Sequence, residues 1–85
     1  MPYIKMSDRE RLENLVKEMS LTEIRTAGGL NYLTTRLIHA FLDQKGESYQ
    51  TYNDILGALE GVKFELQRRY LAPYENNKIT ENGDL

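Results

Sequence analysis

Two long amphipathic segments, Gly29 to Lys45 and Thr51 to Leu71, constrain this chain more than any other feature, because only the short link Gly46-Glu47-Ser48-Tyr49-Gln50 separates them. In the first, Leu30, Leu33, Leu37, Ile38, Phe41 and Leu42 recur at three and four residues, with Tyr32 and Ala40 at the flanks and Arg36, Asp43 and Gln44 outward. In the second, Tyr52, Ile55, Leu56, Leu59, Val62, Leu66 and Tyr70 form a face along whose edge Lys63 lays its stem. Two apolar helical faces on a five-residue link fold back on each other as an antiparallel hairpin.

The punctuation supports this reading. Gly28-Gly29 breaks the helical pattern before the first segment, and Lys45-Gly46 closes it with a cation at the negative helix end and a residue suited to positive φ. Thr51 and Asp54 have the spacing of a helix cap and its third residue, with Ser48 as the rival cap. Pro73 ends the second helix, leaving an irregular tail that Ile79 helps to pin. Gly57 and Gly61, four residues apart, each cost about 1 kcal/mol relative to alanine inside a helix, which favours close approach by another helix there. Upstream, Ser7-Asp8-Arg9-Glu10 has the spacing of a capping box, after which Leu12, Leu15, Val16 and Met19 share one face. Ser20 and Glu23 cap a further short helical turn from Leu21 to Thr26.

Eighty-five residues allow one domain with a thin core. No cysteine is present, so neither a disulfide nor a cysteine-held metal braces the fold, and packing, capping or oligomerisation must do so. Thirteen acidic against eleven basic residues, with a mean hydropathy of −0.61, describe a soluble chain without broad attraction to nucleic acid. Met1-Pro2-Tyr3-Ile4-Lys5 leads into no apolar run, which argues against a signal peptide or membrane span and makes the cytoplasm the default.

Few residues carry recognisable chemistry. His39 is the only histidine, and a general base needs a nucleophile or second acid held beside it, so it reads as a core-edge residue. Glu60 and Glu65 do not share a helix face, and Asp54 does not repair that, so a metal enzyme would have to draw ligands from separate helices or protomers. Gly28-Gly29-Leu30-Asn31 lacks the spacing and lysine of a phosphate loop and reads as a helix start. Lys63, Arg68 and Arg69, with Tyr49, Tyr52 or Tyr74 as stacking faces, are the candidates for nucleic-acid binding. The helix dipole and an i,i+4 pair from Glu65 to Arg69 are sufficient to account for the two arginines. Six tyrosines, several beside helix ends, suit either a small core or a protein interface.

The strings Leu30-Asn31-Tyr32, Thr35-Arg36-Leu37, Tyr49-Gln50-Thr51-Tyr52-Asn53-Asp54-Ile55, Gly57-Ala58-Leu59-Glu60, Arg68-Arg69 and Pro73-Tyr74-Glu75 resemble a family of small uncharacterised bacterial and phage proteins. The similarity extends to Lys78-Ile79 and Glu81-Asn82-Gly83-Asp84, and the N-terminal helix matches least. The resemblance implies no activity or cofactor. It does suggest one buried or interfacial polar network drawn from Asn31, Arg36, Asn53, Asp54 and Glu60, with Arg36 pairing across the hairpin to Asp54 or Glu60.

Together these features predict an all-α domain over 1–85: an N-terminal helix packed on a long antiparallel hairpin, with 75–85 an irregular tail open to flexibility. The expected role is a small, self-associating interaction or accessory protein, a homodimer with room for another protein partner and no membrane contact. Asn31, Tyr32, Arg36, Tyr49, Tyr52, Asn53, Asp54, Glu60 and Tyr74 are its interface or polar-network candidates. The alternatives are a nucleic-acid-binding module and an enzyme with a site assembled between helices or subunits. No catalytic residue, metal ligand or cofactor is assigned.

Overall fold

A computed structural model describes residues 3–85; Met1 and Pro2, which open the N-terminal stretch screened for a leader, lie outside the described residues. The chain is all-α, with no strand among the described residues. It divides into two units, one up to Phe41 and one spanning Leu42–Leu85.

The first unit begins with α1, Met6–Leu21. Its N-cap is Lys5, whose carbonyl accepts from the Asp8 and Arg9 amides at 3.0 Å, while Arg9 Nε donates to the Ile4 carbonyl at 3.1 Å. Ser7 therefore lies inside the first turn, and the expected Ser7–Glu10 capping box does not define the start. Asp8 still stands in that turn, where the helix dipole favours a carboxylate, and accepts from Arg11 at 3.1 Å.

The helical turn expected from Leu21 to Thr26 is absent. Thr22 is extended, at φ −98° and ψ 127°, and the hydroxyls of Ser20 and Thr22 donate back to Val16 and Glu18 carbonyls instead of capping a new helix. These bonds finish α1. Thr26 then caps the next helix, its Oγ1 accepting from the Gly29 amide at 2.9 Å. Helix α2 accordingly runs Ala27–Lys45, with Gly28-Gly29 inside its first turn and neither at positive φ. A threonine cap three residues before Gly29 outweighs the glycine penalty, so the helix starts at this pair, as expected, with both glycines inside its first turn instead of before it.

The second unit takes in the last turn of α2. Gly46 ends it at φ +83°, with its amide donating to the Leu42 carbonyl at 2.8 Å, and Lys45 supplies the last-turn cation, as the sequence suggested. Helix α3, Tyr49–Leu66, follows after three residues. Ser48, the rival cap, wins: its Oγ accepts from the Thr51 amide at 3.0 Å and lies 2.9 Å from the Thr51 hydroxyl. Thr51 is 7% exposed and is the one buried residue among those described. Asp54, freed from capping, accepts from Gln50 at 2.8 Å.

The second helix does not stop at Pro73, and the expected irregular tail is overturned. A π-helical turn, Gln67–Leu71, leads directly into α4, Ala72–Asn82, with right-handed helical backbone at Leu66 and Ala72 on either side of it. Proline in a helix interior lacks an N–H and collides with the carbonyl four residues back. Here the Ala72 amide reaches back five residues to Gln67, widening the turn just before Pro73, which sits in the first turn of α4. The proline is absorbed at a widened turn. Gly83 ends α4 at φ +84°, its amide donating to the Ile79 carbonyl at 2.8 Å.

Candidate interaction surface

No hydrophobic side chain is buried among the described residues. On α1, Leu12, Leu15, Val16 and Met19 share a face and are all exposed; on α2, Leu30, Leu33, Leu37 and Phe41 are as well. On α3, Leu56 is 63% exposed and Leu59 38%. Each helix therefore carries the apolar stripe its periodicity predicts, and each stripe is open.

The π turn shapes the longest of these stripes. A helix advances about 100° per residue, and inserting one residue into a turn sets everything beyond it back by about that angle. In an unbroken helix the positions in line with Leu59 and Leu66 would fall to Tyr70, Pro73 and Asn77. Beyond the widened turn they fall to Leu71, Tyr74 and Lys78. The Lys78 Nζ lies 5.6 Å from the centre of the Tyr74 ring, so its charge caps an aromatic surface rather than interrupting it. The stripe of α3 thus continues onto α4.

The polar candidates are held locally. Asn31 accepts from the Thr35 hydroxyl at 3.3 Å. Arg36 donates to the Tyr32 hydroxyl at 3.0 Å and lies 5.9 Å from the centre of that ring. Tyr49 is exposed at the start of α3, and Asn53 and Glu60 are exposed along it. Tyr52 is in the first turn, where partial burial and a hydrogen bond donated by its hydroxyl to Glu47 hold its pKa above the ordinary phenol value.

Glu65, whose side chain is 24% exposed, receives both Arg69 and Arg68, the latter at 3.3 Å. The hydrogen bond from Arg69 is the main reason its carboxyl titrates below the ordinary carboxylate value; the bond from Arg68 and the Arg69 charge add to it, against some desolvation. The i,i+4 pair expected from the sequence is made. Lys63, by contrast, is exposed and has no ion-pair partner among the described residues. Of the residues singled out in the sequence, Arg68 and Arg69 converge on one carboxylate, and Arg36 joins Tyr32. Sequence reasoning missed Leu71, because only the π turn brings it into line, and left Ser48 as the rival cap, because a threonine occupies the third position of the box in place of Glu or Gln.

Gly57 and Gly61 face open space: a Cβ at either would meet no atom within 4 Å. The close approach expected there is not made by any described residue. No helix is long and apolar enough to cross a membrane among the described residues.

A family model described as a domain of unknown function, DUF6899, matches residues 1–85. No curated protein and no solved structure matches the chain.

Proposed function

We propose that this chain, which belongs to the DUF6899 family of unknown function, is a small interaction protein that associates with itself through its apolar helix faces. One observation carries the reading: a chain that is 40% hydrophobic holds no buried hydrophobic side chain among its described residues. Burying a leucine stabilises by about 2 kcal/mol, and a chain without disulfide or cysteine-held metal has no substitute for that source of stability. A second copy supplies the missing apolar cover, as in obligate homodimers whose interface resembles a domain core cut in half.

The polar candidates fit the rim of such an interface, where tyrosine and arginine are enriched. Tyr32 with Arg36, and Tyr74 with Lys78, each set a cation against an aromatic ring four residues before it. The reading places the protein in the cytoplasm and keeps the bacterial and phage distribution, with the strings around Arg36, Asn53 and Tyr74 as its family signature. Light scattering on the full chain over a thousandfold concentration range tests it. A dimer or larger assembly, with helicity rising as concentration rises, is the expected result; a helical monomer throughout would overturn it.

A further inference from the structure

We infer that the face continuing from α3 onto α4 pairs with the same face of a second copy in antiparallel orientation, about a two-fold axis beside Arg69. The inference rests on the self-association reading and adds the orientation and the pairing.

Local pairing leaves several charges over. Along this helix Glu65, Arg68 and Arg69 form one cluster, and Lys78 pairs with Glu81 at 3.2 Å. Lys63, Glu60 and Glu75 have no ion-pair partner among the described residues, although all three are exposed. At about 100° per residue, and with the setback at the π turn, Lys63 and Glu75 fall on the same flank of the stripe. Two antiparallel copies of a helix related by a two-fold axis bring like flanks together, and residues equally distant from the axis stand level. Arg69 lies midway between Lys63 and Glu75, so an axis there brings Lys63 of each copy level with Glu75 of the other.

The same axis brings Glu60 level with Lys78 of the second copy. A parallel pair would instead set the flank that carries Lys63 and Glu75 against the opposite flank of the second copy, so neither charge would find the other. The apolar positions agree with the antiparallel choice. Leu71 of the second copy stands level with Gln67, one residue from Leu66, so the stripe leucines Leu66 and Leu71 meet on both sides of the axis, and Leu59 to Ile79 overlap along its length. The setback at the π turn is needed for this, since without it Leu71 leaves the stripe and Glu75 leaves the flank that Lys63 occupies.

The test uses the full chain. Light scattering follows the dissociation constants of wild type, Glu75→Lys, Lys63→Glu and the double variant Lys63→Glu/Glu75→Lys. Each single change places two like-charged pairs in the antiparallel dimer, and we expect at least about a tenfold rise in dissociation constant, with the double variant back within about threefold of wild type. Circular dichroism of each variant checks that helicity is kept. Independently, the chain has no cysteine of its own, so Gln67→Cys and Asn53→Cys each accept one spin label. Label pairs close together at position 67 and about 48 Å apart along the axis at position 53 support the antiparallel pair. Equal separations at the two positions, or single charge variants as tight as wild type, would overturn it while leaving self-association intact. A monomeric wild type would overturn both.

Discussion

Removing the hydroxyl of Ser48 tests how α3 is started. Ser48 Oγ accepts from the Thr51 amide at 3.0 Å and sits 2.9 Å from the Thr51 hydroxyl, which belongs to the one buried residue described. Losing the cap costs about 1 kcal/mol. Leaving a buried hydroxyl without its partner costs about 1 kcal/mol more. Ser48→Ala should therefore destabilise the start of α3 by about 2 kcal/mol, which native-state hydrogen exchange reads as amide exchange about thirtyfold faster in the first turn of α3. Ser48→Asp keeps an acceptor for both donors and should stay near wild type. Thr51→Val removes only the second contribution, so the Ser48→Ala cost measured in a Thr51→Val background should fall to about 1 kcal/mol. Exchange in Ser48→Ala within about twofold of wild type, or an aspartate no better than alanine, would refute the assignment of the cap to Ser48.

Other substitutions reach different parts of the chain. Pro73→Ala should raise helicity, since proline is about 3 kcal/mol worse than alanine in a helix interior, yet weaken self-association by releasing the π turn and rotating Leu71 and Tyr74 out of the stripe; circular dichroism and light scattering should move in opposite directions. Gly57→Ala and Gly61→Ala should each stabilise the helix by about 0.5–1 kcal/mol with no change in assembly mass, because a Cβ at either position meets open space. Glu65 is held below its ordinary pKa chiefly by the Arg69 hydrogen bond, so its stabilising effect is present above the unfolded value and is lost as pH falls from there through the folded one. Glu65→Gln should flatten the acid limb of an ellipticity titration in that range. Tyr52 has the opposite sign: its raised pKa makes its contribution complete below the unfolded phenol value and lost as pH rises through the folded one, and Tyr52→Phe should remove that alkaline step from the titration.

Much of the secondary structure was legible because its signals are local. The apolar periodicity located all three of the longer helices, and Lys45-Gly46 marked the end of α2 correctly. Helix starts were less legible, since a serine or threonine with a plausible third residue occurs several times over. Thr51 and Ser48 both have cap spacing, and it is Ser48 that reaches the Thr51 amide; Ser7 has it too, although the backbone carbonyl of Lys5 already engages the amides there. Pro73 misled most. Its usual meaning is termination, and no residue type announces that the turn before it will widen to accommodate it. Among site candidates, the Glu65 pairs with Arg68 and Arg69 follow from spacing alone, whereas Tyr32 and Arg36, both interface candidates, stand four residues apart and meet on their own helix, while the sequence sets Arg36 against Asp54 or Glu60.

The short reach of the bonds described has a kinetic consequence. The side-chain bonds named at the helix starts, ends and faces each join residues five or fewer apart, so each forms as soon as its own turn forms. Helix–coil relaxation takes about a microsecond or less. Each helix therefore forms and melts many times before two copies meet at ordinary concentrations, where docking of specific patches proceeds at about 10⁵–10⁷ M⁻¹s⁻¹. For such a chain the slow phase of refolding is a collision, and its rate should double when the protein concentration doubles.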